Sequence, residues 1–84
     1  MNIKPLASNM TELNINGVSI LFSYQTPVAG WDDGGAFRTK EWYSQTTTRH
    51  INKYLGGKAI GREVEQNFID QLVGENSPKQ YNYF

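Results

Sequence analysis

The dipeptide Asn16-Gly17 constrains this chain more than any other feature. Both residues tolerate the positive φ that the central positions of a type I′ turn require, so the pair is the strongest short-range signal for a hairpin with a two-residue loop. Counting outward from it, Ile15 faces Val18, Leu13 faces Ile20 and Thr11 faces Phe22. Every large apolar side chain of the hairpin except Leu21 then lies on one face. At about 1.5–3 kcal/mol for each such side chain when buried, that face is expected to be the main apolar platform of the fold.

The rest of the chain is read outward from this hairpin. Ahead of it, Met1 to Asn9 contains Pro5 and no clear period, which reads as an irregular N-terminal arm over 1–10. Behind it, the second strand should end near Tyr24, because Pro27 has no amide hydrogen and biases Thr26 toward extended backbone. Val28-Ala29 would continue only as an edge. Gly30-Trp31-Asp32-Asp33-Gly34-Gly35 reads as a wide turn whose carboxylates satisfy backbone amides. Ala36 to Tyr43 reads as a third strand without a single buried face. Phe37, Thr39 and Tyr43 share one parity and Ala36 and Trp42 the other, so either a bulge shifts the register or both faces are partly covered.

At Ser44 the period becomes helical. Ser44 and Thr46 suit an N-cap, Thr47, His50, Ile51, Tyr54 and Leu55 recur on one face, and Gly56-Gly57 suits a left-handed C-cap. Arg49, Asn52 and Lys53 fall on the opposite face. After the linker Lys58 to Gly61, a second helix is expected from about Arg62 to Val73, with Val64, Phe68, Ile69, Leu72 and Val73 as its stripe and Gly74 as its stop. Glu63 and Glu65 suit the dipole of its first turn. Residues 75–84 contain Pro78 and no period, and read as a mobile tail. The expected architecture is a single α+β domain over 11–74, a three-stranded antiparallel β-meander followed by two short helices packed on one face.

With 84 residues there is room for one domain of one layer packed on another. The absence of cysteine removes disulfides and thiolate metal sites and fits a reducing compartment. No apolar run approaches the roughly 18 residues of a membrane span, and the N-terminus lacks the apolar region of a signal peptide. A soluble protein of the cytoplasm is therefore expected. The formal net charge of zero argues against a DNA mimic and against binding nucleic acid by bulk charge. Beneath that average the charge is uneven: Arg38, Lys40, Arg49, Lys53, Lys58 and Arg62 stand against Glu41 alone, and the remainder is acidic.

Few residues point to chemistry. His50 has the pKa for acid-base work, but it sits at the edge of an apolar helical stripe and no serine stands on a glycine-flanked elbow. Asp32, Asp33, Glu41 and His50 lack the spacing of a calcium or zinc site, and the glycines form no phosphate loop. The reading is a non-enzymatic protein without cofactor or metal. The dense block from Arg38 to Leu55 carries the candidate binding residues Arg38, Lys40, Trp42, Arg49 and Lys53. Trp, Tyr and Arg dominate protein interfaces, which favours a protein partner bound through the third strand and first helix. The same basic and aromatic mixture over 38–62 suits single-stranded nucleic acid, which is the alternative. The block is also what a strand and a helix would show if they merely packed there. Exposed strand edges would let two copies pair, leaving a homodimer open.

Two blocks carry a resemblance. Leu21-Phe-Ser-Tyr-Gln-Thr-Pro-Val-Ala29 is followed by Phe37-Arg-Thr39, then Trp42 or Tyr43, Ser44, and Thr47-Thr-Arg-His-Ile-Asn-Lys-Tyr-Leu55. Together they resemble a family of small uncharacterised proteins encoded mainly by bacteriophages. The likeness covers roughly 11 to 73. It implies a viral gene expressed in a bacterial host, a compact domain, and a role by contact with host or viral machinery; it implies no catalytic residues.

Overall fold

The computed structural model describes residues 2–74. They form one six-stranded mixed sheet, in the order β1-β2-β3-β4-β5-β6, and two helices. The strands are β1 (Asn2–Ala7), β2 (Met10–Ile15), β3 (Val18–Ser23), β4 (Thr26–Asp32), β5 (Gly35–Thr39) and β6 (Arg62–Val64). Helix α1 (Gln45–Leu55) links β5 to β6, and α2 (Gln66–Gly74) comes after β6. Neighbouring strands are antiparallel except β5 and β6, which the α1 crossover makes parallel.

The Asn16-Gly17 hairpin has the expected register, with Ile15 opposite Val18, Leu13 opposite Ile20 and Thr11 opposite Phe22. Asn16 and Gly17 take φ of 51° and 80°. Its apolar face is one of two cores: Leu13, Ile15, Ile20 and Phe22 join Phe37 under Ile69 and Val73 of α2. Leu21, the side chain of opposite parity, joins Met10, Val28 and Ala29 under Ile51 and Leu55 of α1. Because residues of alternate parity feed the two clusters, the helices cover opposite faces of the sheet. That corrects the expectation of two helices on one face, and it explains why β5 has no single buried face. Phe37 and Thr39 turn toward α2, while Ala36 packs against the α1 core.

The sheet has six strands where the sequence pattern announces three. The opening segment is not irregular but pairs with β2 as β1, every residue of it exposed. In a hairpin closed by two residues the flanking pair is hydrogen bonded, so Ile15, Leu13 and Thr11 direct their backbone groups to β3, and Asn14 and Glu12 direct theirs to β1. Asn2 and Lys4, opposite them, therefore bond inward. The amide that Pro5 lacks falls on the open edge, where its loss leaves the β1–β2 ladder intact.

The segment expected as an edge and a wide turn is the central strand β4, turning only at Asp33-Gly34. Pro27 is accommodated there by a register shift between Leu21 and Phe22, the bulge that a proline inside a sheet needs. Gly30 lets β4 pass beneath an aromatic ring. A Cβ at that position would lie 2.6 Å from Phe37 Cζ and would collide with the Ser19 carbonyl oxygen. Residues 62–64, expected as the first turn of the second helix, add to the free side of β5 instead, and Val64 accepts a hydrogen bond from the Lys40 amide at 2.9 Å. The C-terminal tail read over 75–84 lies outside the described residues.

Helix α1 has the expected ends. Ser44 caps it by accepting from the Thr47 amide at 3.0 Å, and Gly56 closes it at φ 99°.

Candidate functional site

Strand direction gathers one group of loops. β3 and β5 run the same way, so the β3–β4 turn, the end of β5 and the starts of both helices lie at one end of the sheet, together with the β1–β2 turn. There the Tyr24 amide donates to the Asn9 carbonyl at 2.8 Å. Trp42, 73% exposed, and Tyr43 stand on the segment between β5 and the α1 cap. The third strand, read to Tyr43, ends at Thr39. From Thr39 the chain enters α1 by an irregular lead-in, held where the Thr39 hydroxyl accepts from the Glu41 amide at 3.0 Å.

Beneath this end lies a polar cluster. Ser23, only 2% exposed, shares hydrogen bonds with Thr47 Oγ1 at 3.0 Å and with His50 Nδ1 at 2.8 Å. Burial, and secondarily the charge of Lys53, push the His50 pKa below its ordinary value. The imidazole is thus neutral at pH 7 and serves a buried hydroxyl. The Tyr24 ring leans on it, with centroids 5.8 Å apart at 45°. Tyr43, by contrast, is pushed up by burial and by the carboxylates of Asp70 and Glu41.

The five candidate binding residues separate. Arg38 is structural: its Nε donates to the Ile60 carbonyl at 2.9 Å, and its two terminal nitrogens donate to Asn52 Oδ1 at 3.0 Å and the Gly57 carbonyl at 2.8 Å. It clamps the loop that carries the chain from α1 to β6. Lys40 pairs with Glu65 at 3.1 Å in a solvated contact. Arg62, also in the basic stretch, makes two bonds to Asp32 at 2.8 and 3.0 Å and lies over the Phe37 ring. Trp42, Arg49 and Lys53 remain exposed. The block is therefore part scaffold and part surface.

Tyr24 carries no signal in the sequence. The β3–β4 turn is Tyr24-Gln25, closed by Ser23 opposite Thr26, and it contains no Gly or Asn to announce it. Tyr24 has φ 58°, a region that bulky L-residues avoid at a cost of about 1–3 kcal/mol. Ser23 is equally hidden, since only the fold brings it to α1.

Among the described residues no three of His, Cys, Asp and Glu converge as a metal-binding group, and no helix is long and apolar enough to cross a membrane.

The architecture defines a small α+β protein with a six-stranded mixed sheet, flanked by one helix on each face and presenting exposed aromatics at one end. The chain belongs to the family of unknown function (DUF8033), which matches it over residues 1–71. Comparison with curated proteins and with solved structures returned no match.

Proposed function

We propose that this is a small non-enzymatic bacteriophage accessory protein that works in the host cytoplasm by binding a host or viral protein. The contact surface is the lead-in from β5 to α1 together with the outer face of α1. The observation that carries this reading is Trp42: a tryptophan 73% exposed beside an exposed Tyr43, where no packing of the domain calls for it. Exposed aromatics of this kind are the usual anchors of protein interfaces. The viral origin is supported by the resemblance of the two sequence blocks. The non-enzymatic reading is supported by Ser23, whose hydroxyl is buried and already shared by Thr47 and His50, so it is not presented as a nucleophile.

Single-stranded nucleic acid is the weaker reading. Of the six cations between residues 38 and 62, Arg38 and Arg62 are held by groups of the fold and Lys40 faces the carboxylate of Glu65 at the surface, so few remain to track a phosphate backbone.

The test is affinity capture from host-cell lysate with and without nuclease, using the full chain and its Trp42→Ala variant. A discrete protein retained after nuclease and lost with Trp42→Ala is the expected result. Retention that disappears with nuclease, and that falls steeply as salt rises, transfers the function to nucleic acid.

A further inference from the structure

We infer that Tyr24 is a recognition residue and that the surface it completes takes an acidic protein segment. This rests on the binding surface proposed above and extends it across the β3–β4 turn.

The chain provides its own control. Among the described residues, positive φ outside glycine occurs at Asn9, Asn16 and Tyr24. Asn is the side chain that tolerates this backbone region, because its short polar group bonds locally, whereas tyrosine gains nothing there. Two of the three positions therefore hold the residue that the backbone favours, and Tyr24 does not. Its amide is already satisfied by Asn9, a bond that any non-proline residue would make. The ring touches His50 on one side, but 51% of the residue stays in solvent. A strained backbone that holds an aromatic side chain half in water, at the end of the sheet where Trp42 also stands, is a mark of contact with another molecule.

Charge specifies that molecule. Helix α1 contains no acidic residue. Arg49 and Lys53 are exposed on it, one residue before and three residues after His50, on the side turned away from the apolar stripe, and Lys53 contributes to lowering the pKa of that imidazole. A segment lying on Tyr24 and crossing α1 meets two cations whose preferred partners are carboxylates. Too few cations remain for a phosphate chain, so an acidic peptide fits better than a nucleic acid.

The experiment is selection of a yeast-displayed dodecapeptide library against the full chain, then affinity measurement with Tyr24→Gly, Tyr24→Phe, Arg49→Glu and Trp42→Ala. Selected peptides should be enriched in Asp and Glu next to an apolar residue. Tyr24→Gly should weaken them about tenfold or more while leaving the urea midpoint unchanged or higher, Tyr24→Phe should retain most affinity, and Arg49→Glu should weaken them. Peptides without acidic bias, or no enrichment whether or not a labelled oligothymidylate binds, overturn the inference. So does a lower urea midpoint in Tyr24→Gly, which assigns the ring to the fold. Peptides lost with Trp42→Ala but kept by Tyr24→Gly remove Tyr24 and leave the proposed surface standing. Peptides indifferent to both variants remove that surface as well.

Discussion

The hydroxyl of Tyr54 donates to Oε2 of Glu12 at 2.6 Å, joining the inner face of α1 to strand β2. Burial and the carboxylate together hold the phenol well above its usual range, so the proton stays on Tyr54 throughout the working pH. Glu12 has a second contact, from Asn14 Nδ2 at 3.3 Å, and Asn14 in turn accepts from Ser19 at 2.6 Å. Tyr54→Phe removes the short bond and leaves a half-buried carboxylate poorly served. The expected loss is about 1–3 kcal/mol, read from urea denaturation. Adding Glu12→Gln should cost less than the sum of the two single changes, because they share one contact.

Arg38 serves three acceptors at once, and the planar guanidinium is what reaches them. Arg38→Ala is expected to destabilise the fold by about 2–3 kcal/mol. Arg38→Lys should recover less than half of that, since an ammonium cannot span a side chain and two separate carbonyls. Amide hydrogen exchange at Gly61 and Arg62 should quicken in both variants, because the loop they belong to loses its clamp.

Gly30→Ala tests the crossing of β4 beneath Phe37. The added methyl meets both the ring and the Ser19 carbonyl, and the carbonyl belongs to a central strand that cannot withdraw. A cost of about 3 kcal/mol or more is expected. Phe37→Leu in the same chain should relieve only the part due to the ring. A full rescue, measured as recovery of the denaturation midpoint, would show that the backbone contact yields easily.

His50 gives the fold a pH dependence of defined sign. Its pKa when folded is lowered from the ordinary 6.5 by burial and then by Lys53. Between the two values the unfolded chain binds more protons than the folded one, so stability is complete above about 6.5 and declines as pH falls through the lowered value. Denaturation midpoints should therefore be lower at pH 5 than at pH 7. His50→Gln, which can still bond Ser23, should reduce that difference, and an unchanged slope would place its origin elsewhere.

Local signals are legible in the sequence wherever one residue dictates the backbone. Asn16-Gly17 sets the first hairpin with its register, and Ser44 and Gly56 set both ends of α1. What stays hidden depends on distant partners. Pro27 reads as a terminator until a bulge at Val28 in its own strand makes room for it, and Tyr24-Gln25 lacks the residues that usually mark a turn. Val64 sits four residues before Phe68 and fits a helical stripe equally well; only the open side of β5 draws residues 62–64 into the sheet. The candidate site is half legible for the same reason. Trp42, Arg49 and Lys53 lie on the surface, but nothing local distinguishes them from Arg38, whose acceptors arrive with α1 and the loop after it.

The parallel pairing of β6 with β5 carries a consequence for how the molecule comes into being. Strands β1 to β5 are joined by short turns and can zip one after another as they leave the ribosome, whereas β6 has no place until α1 has crossed the sheet. Helix α2 comes later still, so Ile20, Phe22 and Phe37 wait uncovered through most of synthesis. During that interval the nascent chain offers chaperones and aggregation the same apolar face that the finished protein hides beneath Ile69 and Val73.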